Sequence, residues 1–438
     1  MELKMNLTFQ TKRVEFASGE ESYFVVDKAK RCPLEYPALY AMNKLRKKGA
    51  AANTIQKVMD SISILYSWAQ SSDIKLHERI RLKEFLTEDE IDQLSDFCML
   101  NFKIKDSQVV TKIKVTKLVK PENIKQKTKI KTIRTIEKPS VNSETHYSRI
   151  TLIAPYLRWL SLQLLRNEAG TERHSVQEMV DELKDRRPRR DRRARFNPKS
   201  IEKKDVDTLY EYVNPESKKN PFKAKSGDAK KIKSIKVRNE LIFIMCHKLG
   251  VRVGELCNIK MKDLHLAGGE DGKIDIYRRP TDKGDIRKQR AQVKTEAREL
   301  PISGKLAKKI NDYITRHRNK VKGASNCEFL FVSHEKSSTP EGSPLSLAAV
   351  RQVFSQLSKA SGIKCTPHNL RHTWNDEFSE LADKEGMSVE REKTLRRYLM
   401  GWSESSQMPD HYDRRRNIKL ANDASLKLQN KTTKGQSL

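Results

Sequence analysis

The sequence contains no long apolar run. No stretch of about 18 consecutive apolar residues occurs, and the opening MELKMNLTFQTKRVEF lacks the apolar core of a signal peptide. These absences argue against a membrane-spanning or exported protein. We therefore expect a cytoplasmic protein with no membrane partner.

The six cysteines follow no recognisable pattern. The chain has no Cys-x-x-Cys pair, and its cysteines are scattered at Cys32, Cys98, Cys246, Cys257, Cys327 and Cys365. Such spacing disfavours a disulfide framework and a zinc ribbon, and it is typical of a protein in a reducing compartment.

Acidic residues are few compared with basic ones. The 438 residues include 88 Lys and Arg against 57 Asp and Glu, which gives a formal net charge of +31. A compact chain with this surplus repels itself, and a polyanionic partner is the usual reason to tolerate it. Nucleic acid is the leading candidate; an anionic membrane surface is the second, and the missing apolar runs make it the weaker of the two.

The length allows two or three domains, and the composition changes along the chain. We predict a small N-terminal appendage over residues 1–32, with β character, and a helical domain over residues 33–182. A basic linker follows over residues 183–200, and a mixed α and β domain covers residues 201–438. No internal repeat is apparent.

Several segments show a clear periodicity of apolar residues. NTIQKVMDSISILYSWA, behind a cap at Asn53 and Thr54, and ETHYSRITLIAPYLRWLSLQLL place apolar residues at helical spacing. NELIFIMCHKLG predicts a buried helix that ends at Gly250. KIDIY and EFLFVS indicate strands, and SLAAVRQVFSQLSKASG indicates a further helix.

Two segments are strongly basic. Residues 103–132 hold ten lysines against two acids and form either a solvated excursion or a β-ribbon with its lysines along DNA phosphates. The linker is either solvated or a strap across the DNA backbone. The predicted DNA-contacting residues are Lys112, Lys114, Lys117, Arg186, Arg187, Arg189, Arg190, Arg192 and Arg193.

Two stretches of the last domain place single basic residues beside turns. In LGVRVGELCNIKMKDL, Arg252 follows Gly250, and Glu255 comes three residues later at the start of a helical pattern. The pair is either a guanidinium fixed at a helix junction or a surface ion pair worth less than about 1 kcal/mol. QVKTEARELPI predicts a β-hairpin that carries Lys294.

The stretch TPHNLRHTWNDEF predicts a helix that starts after Thr366-Pro367. His368, Arg371 and His372 then share one face of its first turns. Two histidines four residues apart suggest zinc, but the Glu of H-E-x-x-H and a nearby third ligand are missing. A phosphate site fits better, because a helix N-terminus, an arginine fork and an imidazole all favour an anion.

The stretch LRRYLMGWSESSQMPDHYDRRR holds the last candidates. Helical spacing predicts that Tyr398 lies in the core, and a polar loop after Gly401-Trp402 leads to Tyr412. Tyr412 stands among His411 and the basic run RRR, so it is either a surface residue that contacts DNA or a nucleophile. Neighbouring cations would favour the phenolate.

In this order, the four stretches resemble the tyrosine recombinase (phage integrase) family. The family pattern is an Arg in G-x-R-x-x-E-L, a hairpin Lys, an H-x-x-R-H box, a His or Trp after a Gly, and a Tyr about ten residues later. The matching positions are Arg252, Glu255, Lys294, His368, Arg371, His372, Trp402 and Tyr412. Residues 33–165 resemble, more weakly, the helical core-binding domain of that family.

The resemblance implies a multidomain fold, with a mainly α core-binding (SAM-like) domain and a mixed α+β catalytic domain. Tyr412 would attack DNA to give a 3′-phosphotyrosine, and Arg252, Arg371, His368 and Trp402 would stabilise the phosphate. Lys294 would protonate the leaving oxygen. The supporting residues would be Glu255, which orients a neighbouring cation, and His372.

The expected activity is site-specific recombination by the integrase of a bacterial mobile element or phage, without metal, ATP or another cofactor. The implied partners are double-stranded DNA with specific recombination sites, a homo-tetramer on that DNA, and DNA-bending accessory proteins. Two departures from the family are the lysine-rich insert and Trp402 in place of the commoner His. The alternatives are a type IB topoisomerase and a non-catalytic DNA-binding regulator.

Overall fold

In a computed structural model, the chain divides into two compact units, residues 1–194 and residues 195–438. Both are mainly helical with small antiparallel sheets, so the fold is mixed α+β. The structure describes residues 7–102, 112–114, 133–135, 140–165, 172–189, 200–266, 270–279, 282, 284–287, 290–291, 293, 295–336 and 339–432. No helix within these ranges is long and apolar enough to cross a membrane.

The first unit begins with a β-hairpin and continues mainly as helices. Its described elements are β1 (Phe9–Glu15), β2 (Glu21–Asp27), α1 (Glu35–Tyr40), α2 (Ala52–Ser71), α3 (Leu76–Arg81), α4 (Glu88–Met99), β3 (Lys112–Lys114), β4 (Ile133–Thr135), α5 (Ser143–Leu164) and α6 (Glu172–Asp185). Helix α1 continues into a π-helical turn, Ala41–Arg46.

Helix α2 is the centre of the first unit. Its apolar positions are buried against α5 and against the hairpin, and the hydroxyl groups of Tyr66 and Tyr156 lie 2.6 Å apart between the two helices. Phe9 and Val25 of the hairpin belong to the same buried cluster. The residues predicted as an appendage therefore share the core of the helical unit.

Helix α2 begins earlier than the cap at Asn53 and Thr54 predicts. Ala51 is the N-cap, it makes no side-chain capping hydrogen bond, and its carbonyl accepts from the backbone N–H groups of Thr54 and Ile55. Ala52 is buried, so packing of the first turn, which the local sequence does not reveal, favours the earlier start.

The two basic segments are described in part. Strands β3 and β4 pair antiparallel, with Lys112 opposite Thr135, whereas Lys117 and most of the lysine-rich insert lie outside the described residues. The side chains of Lys112 and Lys114 also lie outside them.

Helix α6 extends to Asp185, so the first residues of the predicted linker are helical. Arg186 Nε lies 2.7 Å from Asp92 Oδ1, and the Arg187 guanidinium lies 5.3 Å from the ring centroid of Tyr147. Arg189 is exposed. The remaining predicted contacts, Arg190, Arg192 and Arg193, lie outside the described residues.

The second unit surrounds a small antiparallel sheet with helices. Its described elements are α7 (Lys203–Val213), α8 (Ala229–Lys248), α9 (Val253–Leu256), β5 (Leu264–His265), β6 (Gly272–Ile276), β7 (Arg298–Ile302), α10 (Gly304–Arg316), α11 (Leu347–Ser361), α12 (Pro367–Lys384), α13 (Val389–Met400) and α14 (Met408–Thr432). The sheet order is β5-β6-β7.

Helix α8 positions the first site residue. Its second half is almost wholly apolar and buried, and the helix ends at Lys248. Gly250 then adopts a φ of +59°, a left-handed conformation that is strained for residues with a Cβ. The chain therefore turns sharply out of the core and begins α9 directly after Arg252.

The strand predicted from EFLFVS is wrong. Phe329, Leu330, Phe331 and Val332 are all buried, but the segment forms only isolated bridges, one from Phe329 to Lys260 and one from Val332 to Pro344. A short apolar run predicts burial, whereas strand formation also needs a continuous partner, which the local sequence does not show.

The hairpin predicted from QVKTEARELPI is also wrong in its pairing. Strand β7 pairs with β6 along its length, and Val293 and Ala291 belong to no strand. Lys294 lies outside the described residues. Its neighbours Val293 and Thr295 are buried.

Candidate active site

Helix α12 starts where TPHNLRHTWNDEF predicts. Thr366 caps the helix by accepting from the backbone N–H of Asn369 at 3.1 Å, and Pro367 occupies the first turn. Proline suits this position because its missing N–H would have no helical partner there. His368, Arg371 and His372 consequently lie on adjacent turns of one face.

Arg371 is buried and connects the ends of two helices, α8 and α13. Its Nη1 donates to the carbonyl oxygen of Gly250 at 2.7 Å, and its Nη2 donates to that of Met400 at 3.0 Å. Burial, followed by the charge of Arg252, lowers the pKa of Arg371 to about 9. The side chain still carries its charge at neutral pH, and it holds the end of α8 next to the end of α13.

Arg252 and Glu255 are not a surface ion pair. The Arg252 backbone N–H donates to Glu255 Oε2 at 2.9 Å, and Arg252 Nη1 lies 3.5 Å from Oε1. The Glu255 side chain is fully buried, whereas the Arg252 side chain is about one third exposed. The carboxylate therefore fixes the start of α9 and holds a guanidinium that reaches towards solvent.

Two further residues, Thr295 and Arg298, complete the surroundings of Glu255. Thr295 Oγ1 donates to Oε1 at 2.7 Å, and Arg298 Nη2 donates to Oε2 at 3.0 Å. Burial raises the pKa of Glu255, but the charges of Arg298 and Arg371 outweigh that effect, so the pKa lies below its ordinary value. Glu255 stays ionised inside the protein.

Arg298 is not among the residues predicted for the site, although the sequence carries a signal for it. In RELPI, Arg298 alternates with Leu300 and Ile302, and all three face the interior of β7. A basic residue on the apolar face of a strand predicts a buried carboxylate partner. Thr295 offered no comparable signal.

Trp402 and Tyr412 stack on each other. Their ring centroids are 5.7 Å apart with an interplanar angle of 13°, and the Arg371 guanidinium lies 5.7 Å from the Trp402 ring. Only 2% of Tyr412 is exposed. The Trp402 indole N–H and Arg252 Nη1 are buried donors for which the described residues supply no hydrogen-bond partner.

The Tyr412 hydroxyl contacts His372. Its oxygen lies 2.8 Å from His372 Nδ1, and His372 Nε2 lies 3.1 Å from His368 Nε2. Within the described residues, no three His, Cys, Asp or Glu side chains cluster as metal ligands would. The two histidines instead form a chain that ends at the tyrosine.

Tyr398 is not in the core, contrary to the prediction. It is 55% exposed, and α13 buries Glu392, Arg396 and Met400 instead. Arg396 binds both Glu392 Oε1 and Ser379 Oγ, and its guanidinium lies 5.6 Å from the Tyr412 ring. An ion-paired face replaces the apolar face that helical spacing alone favours.

Gly401 provides a test of packing at this site. Its φ is +60°, and an added Cβ would lie 2.5 Å from Arg298 Nη1 and 2.8 Å from Thr295 Cβ. An alanine at a positive φ is strained in any surroundings, and at Gly401 it would also clash. Gly401→Ala should therefore lower the free energy of unfolding, measured by urea denaturation, by about 1–3 kcal/mol more than the backbone strain alone would. The matched control is Gly386→Ala, because Gly386 has a φ of +63° and open space around it. Equal losses in both variants would contradict this packing.

The second unit resembles known proteins in sequence. Residues 199–414 match the phage integrase family. Tyrosine recombinase XerA of Pyrococcus furiosus is 27% identical over 146 residues, which cover 32% of this chain and 40% of that protein. Tyrosine recombinase XerD of Halalkalibacterium halodurans is 25% identical over 179 residues, which cover 40% of this chain and 47% of that protein. The chain thus spans less than half the length of these curated relatives.

Two solved structures match this chain with low overall similarity. A crystal structure of XerA recombinase has a TM-score of 0.34 and 14% identity, and the match covers 86% of this chain and 92% of that chain. The XerH recombinase bound to its palindromic difH substrate has a TM-score of 0.37 and 16% identity, covering 63% and 71%. Residues 199–414, which include Arg252, the H-x-x-R-H box and Tyr412, therefore form a domain of the phage integrase family, the tyrosine recombinases.

Proposed function

We propose that this protein is a site-specific DNA recombinase, the integrase of a mobile element or phage, that cuts and rejoins strands through Tyr412. The observation that carries the proposal is the surroundings of this one tyrosine. Its hydroxyl is hydrogen-bonded to the His372 imidazole, and its ring stacks on Trp402. The Arg371 guanidinium lies over the Trp402 ring. A phenol among cations is suited to attack a phosphodiester.

The arginines would supply the charge stabilisation that phosphoryl transfer requires. A guanidinium has five N–H donors. Arg371 uses two of them, one on Nη1 and one on Nη2, to bind the carbonyl oxygens of Gly250 and Met400. Its remaining donors, with Arg252 Nη1 and the Trp402 indole N–H, would bind the non-bridging oxygens. Because protein cations supply this charge, strand cleavage should proceed in EDTA and without ATP.

Tyr412 must become accessible before it reacts. With 2% of its surface exposed, its oxygen is out of reach of a DNA backbone. A shift of α14, or of the loop between Trp402 and Met408, would open the site when DNA binds. Tyr412 would then form the 3′-phosphotyrosine, and Lys294 would protonate the leaving 5′-oxygen. His368 would hydrogen-bond the same phosphate.

DNA binding would rely on the positive charge and on both units. A net charge of +31 favours a polyanion, and the lysine-rich insert and the basic linker would add contacts to phosphates without reading sequence. We propose that the helical first unit acts as the core-binding domain. Exchange between two duplexes cuts four strands, and each chain has one Tyr412, so four copies would assemble on DNA. Accessory proteins that bend DNA would assist.

The test is direct identification of the covalent adduct. We would incubate the full chain with end-labelled duplex fragments that cover the DNA next to its gene, quench with detergent, and map the nucleotide-bearing peptide by mass spectrometry. The expected result is a 3′-phosphate linked to Tyr412 and a free 5′-hydroxyl on the other side of the cut. The absence of any adduct on these fragments, or attachment to another residue, would contradict the proposal.

A two-site assay separates recombination from topoisomerase activity. A supercoiled plasmid with two copies of the trapped site should give recombinant products that depend on both copies. Relaxation without recombinants, at the same rate for plasmids with one site or two, would instead indicate a type IB topoisomerase.

A further inference from the structure

Ile286, in the segment between β6 and β7, is exposed although it is apolar. Among the described large apolar side chains, Ile286 and Leu82 have the highest exposed fraction, 69% each. Single exposed apolar side chains are common on protein surfaces and by themselves indicate nothing. The residues on either side of Ile286, however, are Asp285 and Arg287, each only 3% exposed. The isoleucine is thus exposed between two buried, charged side chains.

Arg287 fixes this stretch to the body of the second unit. Its guanidinium donates to both carboxylate oxygens of Asp285 at 2.7 Å. Nη1 also donates to the carbonyl oxygens of Cys257 at 2.9 Å and Leu345 at 3.1 Å, and Nη2 donates to Asn258 Oδ1 at 3.1 Å. Because four residues hold one guanidinium, the backbone beside Ile286 has little freedom to move.

Two further contacts hold the same segment. Lys260, which is 4% exposed, donates from Nζ to Asp282 Oδ1 at 3.0 Å, four residues before Ile286. Asn258 Nδ2 donates to the carbonyl oxygen of Ala291 at 2.9 Å, five residues after it. A side chain on a fixed backbone loses less conformational entropy when it binds, so more of its apolar contact appears as affinity. Ile286 is therefore presented as a rigid apolar projection.

The charge of the segment indicates what this projection would contact. Residues 277–294 include seven Lys and Arg against two Asp. The two acids are paired, Asp282 with Lys260 and Asp285 with Arg287, so the segment carries a surplus of positive charge. An apolar side chain among cations suits DNA, because the phosphates attract the cations and the stacked base pairs have an apolar interior.

The projection lies near the arginine that would bind the phosphate. Arg287 holds the carbonyl of Cys257, which follows Arg252 by five residues across α9, about 8 Å along a helix axis. The segment also leads to Thr295, which donates to Glu255 beside Arg252. Successive base pairs are about 3.4 Å apart, so an insertion by Ile286 would fall within a few base pairs of the cut.

From these observations we propose that Ile286 is a specificity-determining residue, a wedge that enters between two neighbouring base pairs of bound DNA and kinks the duplex near the cut. This inference rests on the proposed function. Separating two stacked base pairs costs free energy that depends on their sequence, and pyrimidine–purine steps such as TA and CA separate most readily. The protein would therefore select such a step without a hydrogen bond to either base.

The experiment scans the duplex with 2-aminopurine, a fluorescent adenine analogue whose emission rises when it unstacks. The duplex is the fragment next to the gene that the full chain binds most tightly, so its choice does not depend on cleavage. Wild type should raise the emission about threefold or more at one step, within about five base pairs of the cut. Ile286→Ala should abolish the rise, and Ile286→Leu should keep most of it.

A mismatched pair at the same step tests the energetics, because it removes much of the cost of unstacking. The mismatch should tighten binding by wild type about tenfold and binding by Ile286→Ala less than about twofold. The matched control is Leu82→Ala, since Leu82 has the same exposed fraction and is close in sequence to Glu84 and Glu88, whose charges disfavour DNA. It should match wild type in both assays, and all variants should unfold at the wild-type temperature.

Three results would overturn the proposal: no rise in emission at any position with wild type, an equal rise with Ile286→Ala, or equal gains from the mismatch. A change in the oligomeric state of Ile286→Ala without DNA, measured by sedimentation, would also overturn it, because Ile286 would then belong to a contact between copies. A duplex that is bound and unstacked but never cleaved would contradict the proposed function and leave the wedge standing.

Discussion

Replacing Tyr412 with phenylalanine should abolish the covalent DNA adduct, with a fall in strand-cleavage rate of about 10⁴-fold or more. The phenol oxygen is the atom that would bond to phosphorus, and no other atom of the ring can do so. The substitution keeps the stacking on Trp402 and the contact with Arg396. It removes the contact with His372 Nδ1, at a cost of about 1 kcal/mol in the free energy of unfolding.

Single-turnover adduct formation and DNA binding, measured together, test this prediction. Tyr412→Phe should bind DNA with an affinity near that of wild type. The matched control is Tyr398→Phe, a tyrosine of the same unit that is 55% exposed, and it should retain full cleavage. An adduct in Tyr412→Phe would show that the nucleophile lies elsewhere.

Glu255→Ala should be the most destabilising of these substitutions, with a loss of about 3–5 kcal/mol in the free energy of unfolding. Glu255 and Arg298 form an ion pair whose two side chains are buried, so the alanine variant leaves a guanidinium without its counter-charge. Thr295 and the Arg252 backbone would lose their acceptor as well. Strand cleavage should fall too, because Arg252 would lose its orientation.

Urea denaturation of the full chain measures the loss. The control is Glu299→Gln, an exposed residue paired with Lys273 at 3.0 Å, which should change the free energy of unfolding by less than about 1 kcal/mol. Because the pKa of Glu255 is lowered on folding, its contribution is present above the unfolded pKa and is lost as pH falls through the folded value. An alanine variant as stable as the control would refute the role of Glu255.

The sequence predicted the parts of the site that depend on local signals. Thr366-Pro367 predicts the start of α12, and Gly250 predicts the end of α8, because capping and left-handed turns depend on residues next to each other. The motif order then led to the phage integrase family, which the family match confirms. The roles of the individual site residues stay predictions.

The sequence did not reveal contacts between distant segments. His372 and Tyr412 are 40 residues apart, and nothing local indicates that they share a hydrogen bond. Arg298 reaches Glu255 across 43 residues. Tyr398 was misplaced because the face of α13 that is buried carries ion pairs, whose partners come partly from other helices.

The two carbonyl contacts of Arg371 couple substrate binding to the architecture of the second unit. One guanidinium holds the turn at Gly250 and the end of α13 at Met400, and Gly401 and Trp402 follow immediately. If a phosphate also binds the Arg371 guanidinium, phosphate binding and the packing of that turn become linked equilibria. Linkage is reciprocal, so any change that loosens the turn weakens phosphate binding by the same free energy with which phosphate tightens the turn.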